Sequence, residues 1–361
     1  MRFSKILALL LCISMAIGFI SCTSDGGKEN EKGEGEKLET SGFSENTGEE
    51  NDDDGDVGHE PFEEDKDESK DEVKGASTPL LYKVSDSNGS YVWLFGSIHV
   101  GREDYYPLPD YVMDAYNDSK SLAVEFDAMA FAEDTMAAYR ALYKLAYLDG
   151  TTISDHVSQD IYDDAVEILK ENGAYNKALD VYCASFWYNM ISGITYEKMG
   201  VDTENGIDMY FLNLAKKEDK EIIDVESAEI QYGMIADFSE DLQEILLEST
   251  IQAYYIDTEE MQKELDKLMD AWVKGDSREL TKLLNSESDS FESDYERELY
   301  EEYNTAMIVD RNIYMADFAE DALEDGETIF ICVGAAHVVG EGAMADLLEE
   351  RGYTVEEFSG K

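Results

Sequence analysis

Two stretches of the sequence, VWLFGSIH at residues 92–99 and FICVGAAH at residues 330–337, have the same layout. Each begins with four apolar residues, continues with a glycine and two small or apolar residues, and ends in a histidine. Short apolar runs of this kind are typical of buried strands, and a glycine lets another group approach the backbone closely. Sheets of α/β proteins bind ligands at the C-terminal ends of their strands. We therefore predict that His99 and His337, which follow two such strands, converge on one site.

The remaining sequence places β elements at both ends of the chain and helices between them. Apolar runs and a Ser87-Asn88-Gly89 turn predict a hairpin and four further strands, at 80–84, 91–95, 121–127, 221–226, 328–333 and 353–355. Apolar residues at helical spacing predict helices within 132–147, 159–171, 177–199, 205–218, 239–284, 295–323 and 342–351. We therefore predict an α+β fold, with a mixed sheet built from N- and C-terminal segments and a long central helical block.

The N-terminus has the features of a bacterial export signal. Arg2 and Lys5 precede an apolar run at 6–19, and FISC at residues 19–22 is similar to a lipobox, whose cysteine becomes lipidated. We predict a lipoprotein signal peptide over residues 1–22, with Cys22 anchored to the cell membrane on its extracytoplasmic face. A secretory peptide cut nearby, or an uncleaved anchor, is the alternative.

Composition divides the rest of the chain into two parts. Residues 23–76 are rich in acidic residues, Gly and Ser and poor in large apolar residues, so they predict a disordered tether. Residues 77–361 contain the predicted strands and helices and form the folded domain. Within it, Cys183 and Cys332 lie in apolar stretches and are predicted to be buried free thiols, with a disulfide as the alternative.

The charge of the chain limits its partners. Its 361 residues include 28 Lys and Arg against 83 Asp and Glu, for a formal net charge of -55. Such a surface repels phosphate backbones and anionic headgroups, which excludes nucleic acid and argues against electrostatic binding to a membrane. We therefore expect a neutral or cationic substrate, or one that a bound metal attracts.

Acidic residues at predicted strand ends supply further ligands for a metal site. Glu125 follows an apolar run at 122–124, and Glu226 ends the strand at 221–226. Two histidines, a carboxylate and an open position for water form a common catalytic arrangement for hydrolysis. Mn²⁺, Co²⁺ and Zn²⁺ all accept imidazole and carboxylate ligands, so the identity of the divalent ion stays open. The alternative is that each histidine is a hydrogen-bonded core or turn residue.

Several sequence blocks, in this order, resemble the TraB/GumN family over nearly all of residues 80–358. These blocks are LFGSIHVG (94–101), VEFD (124–127), NGID (205–208), VES (225–227) with Gln231, Trp272 with GD (275–276), Arg311-Asn312 with MA (315–316), and VGAAHVVG (333–340). The family includes the TIKI proteins, which are membrane-tethered metal-dependent peptidases, and its fold is shared with erythromycin esterase and ChaN-like proteins. The resemblance therefore implies metal-dependent hydrolysis that uses His99 and His337 with Glu125.

The same resemblance points to additional site residues, each with a structural alternative. Asp208 is a candidate metal ligand or base, or the N-cap of the helix that follows it. Glu226 is a candidate catalytic residue or a solvated strand end. Arg311, with its neighbour Asn312, is predicted in the catalytic site, where the guanidinium orients Glu125, binds a substrate carbonyl or carboxylate, or pairs with nearby carboxylates. Trp272 is predicted to be a core residue.

Two hypotheses of different classes follow for the function. The first is a surface-tethered, metal-dependent hydrolase that acts on a peptide or another small molecule. The alternative is a non-catalytic surface lipoprotein that binds a ligand, a metal or a haem in the same cleft. An acidic scaffold module ranks below both, because it leaves the shared motif of His99 and His337 without a role.

Overall fold

A computed structural model describes residues 77–102, 105–201, 205–284 and 293–358. The predictions for the signal peptide, for Cys22 and for the tether lie outside these residues. Six strands form one mixed sheet: β1 (Leu81–Ser85), β2 (Tyr91–Ser97), β3 (Ser121–Val124), β4 (Glu221–Asp224), β5 (Ile329–Gly334) and β6 (Thr354–Phe358). Their order across the sheet is β4-β3-β5-β2-β1-β6. This arrangement confirms the predicted α+β fold, with β4 contributed from the middle of the chain.

Four adjacent strands, counted from the β4 edge of the sheet, run parallel. β3 pairs with β4 and β5, and β5 pairs with β2, all in parallel, whereas β1 pairs with β2 and β6 in antiparallel register. In the β2–β5 pair, Trp93 lies opposite Phe330 and Ser97 lies opposite Gly334. This register sets the two similar sequence stretches side by side with a shift of one residue, since Gly96 lies opposite Val333, and both histidines emerge from the same end of the sheet.

The helical elements occupy most of the chain between β3 and β5. The helices are α1 (Asp110–Asp118), α2 (Ala128–Glu133), α3 (Thr135–Lys144), α4 (Gln159–Glu171), α5 (Ala184–Met199), α6 (Ile207–Glu218), α7 (Ala228–Ala236), α8 (Glu240–Tyr254), α9 (Thr258–Val273), α10 (Ser277–Leu284), α11 (Asp294–Asn304), α12 (Asp310–Asp325), α13 (Ala335–Val338) and α14 (Met344–Glu350). No helix in the described ranges is long and apolar enough to span a bilayer.

Several predicted helix boundaries were wrong for local reasons. The helix predicted over 132–147 is divided at Asp134, whose carboxylate caps α3 by accepting from the N–H groups of Met136 and Ala137. The helix predicted over 177–199 is a short 3₁₀ turn (Lys177–Val181) followed by α5, because Cys183 has an extended backbone. Residues 335–338, which lie outside the predicted helices and strands, form the single turn α13.

The helix predicted over 295–323 exists, but it changes its winding in the middle. α11 passes into a π-helical segment at Thr305–Val309, and that segment passes directly into α12. Gly326 ends α12 in the left-handed conformation with φ 72°, which a glycine adopts without strain. The whole stretch from α11 to α12 thus forms one long helix whose middle turn is widened.

Two clusters of buried apolar residues stabilise this arrangement. One packs on both faces of the sheet and includes Phe95, Phe211 and Phe330. The other lies within the helical block and includes Trp187. The prediction for Trp272 is confirmed, since it is fully buried and its indole N–H donates to the Gly96 carbonyl at 2.7 Å. Cys183 and Cys332 are buried free thiols, as predicted.

Candidate functional site

Four parallel strands end at one edge of the sheet, and each contributes to a buried polar site. His99 follows β2, Glu125 follows β3, Glu226 follows β4, and His337 follows β5. The carboxyl ends of parallel strands meet at the same edge, where open sheets bind their ligands. All four side chains are buried, with exposed fractions of 8% or less.

The first histidine is held by an acidic partner from a distant helix. Asp208 lies in the first turn of α6, where its Oδ2 contacts His99 Nδ1 at 2.8 Å and its Oδ1 accepts from the Ser97 hydroxyl at 2.5 Å. Gly206 occupies the N-cap of α6, so Asp208 is not the cap and faces the site instead. We call residues 96–99 together with Asp208 the His99 arm.

The second histidine is held by a neutral partner. His337 Nδ1 contacts Asn312 Oδ1 at 2.7 Å, and the Asn312 amide nitrogen donates to the Gly342 carbonyl at 2.9 Å. Since the amide oxygen only accepts, His337 carries its proton on Nδ1 and leaves the lone pair of Nε2 free. We call residues 334–337 together with Asn312 the His337 arm.

A cluster of opposite charges lies beneath the two arms. Arg311 Nη2 donates to Glu125 Oε2 at 2.6 Å and to Glu226 Oε2 at 2.8 Å, while Arg311 Nε contacts both oxygens of Glu226. The Gln231 side chain donates to the same two carboxylates at 3.2 and 2.9 Å. Glu226 is therefore a buried partner of Arg311 and not a solvated strand end. We call these four residues the Arg311 cluster.

Charge pairing in the Arg311 cluster determines its ionisation. Burial opposes the charge of Glu125, but Arg311, with help from His337, His99 and the Gly334 N–H, holds the pKa of that carboxyl well below its usual range. Burial likewise opposes the charge of Arg311, and the two glutamates raise its pKa above its usual range. Glu125 is thus an anion at any physiological pH, with one oxygen, Oε1, directed toward the histidines.

The two histidines differ in protonation. Burial works against a charge on His99, but its hydrogen-bonded partner Asp208, together with Glu125, raises the pKa of the imidazole to about 9. For His337, burial and the nearby Arg311 lower the pKa to about 3, although Glu125 opposes them. In the metal-free protein at neutral pH, His99 is therefore a cation and His337 is neutral.

Gly334 leaves open the space that the two arms enclose. A Cβ at this position would lie 3.2 Å from Glu125 Oε1, 3.6 Å from His337 Cδ2 and 3.7 Å from His99 Nε2. His99 Nε2 and Glu125 Oε1 are themselves 4.0 Å apart. A glycine here provides room for an atom between two imidazoles and a carboxylate.

The donor chemistry of this space fits a divalent metal ion. Metal-binding histidines usually have the second ring nitrogen held by a carboxylate or an oxygen acceptor, as Asp208 and Asn312 hold these two. Within the described ranges, no group of three or more His, Cys, Asp or Glu side chains stands close enough to hold an ion as placed. The ligands of a metal site here would therefore move together on binding.

A cavity of about 150 Å³ opens directly onto the site. Its polar side is formed by residues of both arms and of the Arg311 cluster, including His99, Glu125 and His337. Its other side is formed by apolar residues of the helical block. A second, smaller cavity of about 30 Å³ lies behind His99 and Glu125, against Asp208 and Gln231.

The structure brings together every site residue predicted within the described ranges: His99, Glu125, Asp208, Glu226, Arg311, Asn312 and His337. Sequence reasoning did not assign roles to Ser97, which binds Asp208, or to Gln231, which bridges the two glutamates. It also missed the apolar wall of the cavity. Ser97 and Gln231 did belong to the sequence blocks of the resemblance, which was the available signal.

Comparisons of the sequence with known proteins identify a family whose model covers most of the chain. The family described as TraB/PrgY/gumN matches residues 80–357. The chain is 23% identical over 255 residues to the uncharacterized protein YbaP of Escherichia coli strain K12, covering 71% of this chain and 86% of YbaP. The same figures hold for the uncharacterized protein YbaP of Shigella flexneri. No solved structure matches significantly.

Proposed function

The chain belongs to the TraB/PrgY/gumN family, and on that basis we propose that it is a metal-dependent hydrolase of a peptide or another small neutral substrate. One observation carries this proposal: two imidazoles, each held through Nδ1, face the space beside the Glu125 carboxylate and Gly334. His99, His337 and Glu125 would hold the ion. A divalent ion in such a site acidifies a bound water and polarises the bond to be cleaved.

The surrounding side chains prepare these ligands. Asp208 keeps the His99 ring oriented through its Nδ1, and Asn312 does the same for His337. Arg311 and Gln231 fix the Glu125 carboxylate, so that Oε1 faces the arms. We assign Asp208 this orienting role, because both of its oxygens are already occupied by Ser97 and His99. Partners of this kind affect metal affinity about 10- to 100-fold.

The two histidines differ in what they need before they bind an ion. His337 is neutral and exposes the Nε2 lone pair that would bind a metal ion, whereas His99 is a cation in the metal-free protein. Since a ligating histidine must be neutral, His99 releases its proton when it binds a metal ion.

Export and lipid anchoring through Cys22 are part of the proposal. They place the hydrolase on the extracytoplasmic face of a bacterial cell membrane, with the acidic segment 23–76 as its tether. In cells that express the chain, radiolabelled palmitate should be incorporated and the protein should sediment with membranes. Cys22→Ala should abolish both, and retention of the label in this variant would contradict lipidation at Cys22.

Turnover is the direct test of the hydrolase. The chelator-treated chain is incubated with a mixture of uncharged peptides and Mn²⁺, Co²⁺ or Zn²⁺, and cleavage is followed by mass spectrometry. We expect metal-dependent cleavage that falls at least about a hundredfold in Glu125→Gln. The matched control Glu350→Gln, an exposed glutamate of α14, should keep full activity. Cleavage that Glu125→Gln leaves unchanged would contradict the assignment.

A second candidate function, a non-catalytic ligand-binding or metal- or haem-binding lipoprotein, has its own supporting observation. Arg311 already neutralises Glu125, and no described group of three metal-binding side chains is preassembled. The two candidates differ in turnover. Stoichiometric binding that needs His99 and His337, without cleavage of any substrate under the three metals, would favour this second function.

A further inference from the structure

The cavity beside the two arms has a wall of aliphatic side chains. This apolar wall comes from α9, α10, the π-helical segment and the residue after α13, and it consists of Leu268, Leu280, Leu284, Met307, Ile308 and Val339. Met307 and Leu280 are fully buried, whereas Ile308 keeps part of its surface open. The wall faces the reactive groups across the cavity, so a substrate at His99 and His337 must contact it.

The π-helical segment aligns this wall with the Arg311 cluster. Positions 300, 304, 308 and 312, together with 303, 307 and 311, all line the cavity. In a regular α-helix a row of every fourth residue rotates by about 40° per step, because four residues exceed one turn. A π turn takes up an additional residue and reduces that drift. Ile308 and Met307 therefore share one helix face with Arg311, and the wall keeps a fixed position relative to the reactive groups.

The charges of the cavity disfavour an anionic occupant. Among the described residues that line it, Arg311 is the one Lys or Arg, and its guanidinium is bound to Glu125 and Glu226. Glu341 adds a further exposed carboxylate to the lining. His99, the other cation in the lining of the metal-free protein, is bound to Asp208. No cation among the described lining residues is thus left over to pair with a carboxylate or phosphate of a substrate.

We propose that the apolar wall is the specificity pocket of this protein, and that it accepts an uncharged aliphatic or single-ring side chain of the substrate next to the bond that is cleaved. The volume of the cavity, about 150 Å³, is enough for a ring the size of benzene, and the apolar wall forms one side of it. The position of this side chain next to the cleaved bond rests on the proposed function, whereas binding of the side chain by the wall does not depend on turnover.

Binding of small amides tests the pocket without relying on catalysis. The probes are N-acetyl-leucinamide, N-acetylglycinamide and N-acetylglutamic acid 1-amide, titrated into the whole chain without added metal and followed by saturation-transfer NMR. We expect the leucine amide to bind about tenfold or more tightly than either of the others. Ile308→Asp should remove this preference. Ile313→Asp, the same change at an exposed position on the same long helix, should preserve it.

A milder substitution tests the pocket even if the Asp variant does not fold. Ile308→Ala enlarges the pocket without adding a charge, and it should shift the preference from N-acetyl-leucinamide toward N-acetylphenylalaninamide by several-fold. Circular dichroism establishes that each variant is folded. If Ile308→Asp does not fold, the shift in Ile308→Ala decides: its presence supports the pocket, and an unchanged preference overturns it.

The outcomes separate this inference from the hydrolase proposal. Selective binding that depends on Ile308, in a chain that cleaves nothing with any metal, supports the pocket and contradicts the hydrolase. Metal-dependent cleavage that depends on His99 and His337 but treats all side chains alike supports the hydrolase and overturns the pocket. Equal binding of the three amides in the wild type also overturns it.

Discussion

In the His99 arm the imidazole Nδ1 contacts the Asp208 carboxylate at 2.8 Å, whereas in the His337 arm Nδ1 contacts the uncharged Asn312 amide at 2.7 Å. The sequences of the two arms are alike, since each histidine follows a parallel strand, a glycine and two residues, although His337 lies in the helical turn α13 and His99 does not. The partners differ in charge, and the pKa is raised to about 9 beside Asp208 and lowered to about 3 in the His337 arm, where burial and Arg311 dominate.

This difference teaches that the motif places a histidine but does not determine its protonation. Asp208 comes from α6 and Asn312 from α12, so distant segments assign opposite charges to two equivalent positions. The Arg311 cluster contributes to both arms, because Glu125 raises and Arg311 lowers the pKa of each histidine. Two strand ends of similar sequence thus carry one cationic and one neutral imidazole in the metal-free site.

The largest expected effect is a loss of stability when the Arg311 side chain, which holds the cluster beneath both arms, is removed. Arg311→Met leaves Glu125 and Glu226 buried without a counter-charge, which typically costs about 3–5 kcal/mol. We expect urea unfolding to show a loss of this size. Arg297→Met, which removes an exposed ion pair with Asp294, should cost about 1 kcal/mol or less. Equal losses in the two variants would mean that Arg311 does not stabilise the site.

The pH dependence of stability should separate the two arms. The folded pKa of His99 exceeds the unfolded value of about 6.5, so its contribution is complete below pH 6.5 and is lost as the pH rises through about 9. The folded pKa of His337 lies below that value, so its contribution is present above pH 6.5 and is lost as the pH falls toward about 3. The loss should be on the order of 3 kcal/mol for His99 and on the order of 5 kcal/mol for His337.

Urea unfolding at several pH values measures these contributions. The free energy of unfolding of the chelator-treated wild type is compared with that of His99→Gln and of His337→Gln. The difference between wild type and His99→Gln should shrink on the alkaline side, and the difference for His337→Gln should shrink on the acidic side. If both differences changed on the same side of neutrality, the opposite electrostatics of the arms would be wrong.

Exchanging the partners should exchange the electrostatics. Asp208→Asn gives the His99 arm an amide like that of the other arm, and we expect the pKa of His99 to fall by about 1–3. Asn312→Asp should raise the pKa of His337 by a similar amount. NMR titration of the imidazole Cε1 signals in the metal-free protein measures both. Unchanged pKa values in both variants would show that Asp208 and Asn312 do not control the arms.

A smaller effect is expected when the space between the arms is filled. Gly334→Ala places a methyl group 3.2 Å from Glu125 Oε1 and between the two imidazoles, so metal affinity should fall about tenfold while the fold is retained. Gly233→Ala is the control, because its methyl group would meet only the flexible end of Lys144. Calorimetric titration with Zn²⁺ measures both variants, and equal affinities would contradict a metal between the arms.

Much of the fold and several site residues were predictable from the sequence. The strands β2, β3 and β5 are continuous apolar runs, and the residues after them, His99, Glu125 and His337, could be placed at one sheet edge. The helices α1 and α7 were not predicted, because short helices are stabilised mainly by tertiary packing. In addition, α7 contains Gly233, which lowers its helix propensity, and α1 begins directly after Pro109.

The pairing of the site residues was beyond the sequence for a physical reason. Asp208 and His99 are 109 residues apart, and Arg311 and Glu125 are 186 apart, so their contacts depend on the docking of α6 and α12 against the sheet. The π-helical segment was equally hidden, because its residues follow ordinary helical spacing. The opposite protonation of the two histidines follows from their burial together with these long-range contacts.

The central claim is that the two arms jointly hold one metal ion, and metal content tests it most directly. The whole chain is purified without chelator, dialysed in moderate salt and analysed by mass spectrometry of its metals, beside folded His99→Ala and His337→Ala. His156→Ala, a histidine bound to Glu240 away from the site, is the control. We predict about one ion per chain in the wild type and control and none in either arm variant. Equal metal content in all four proteins would contradict the account.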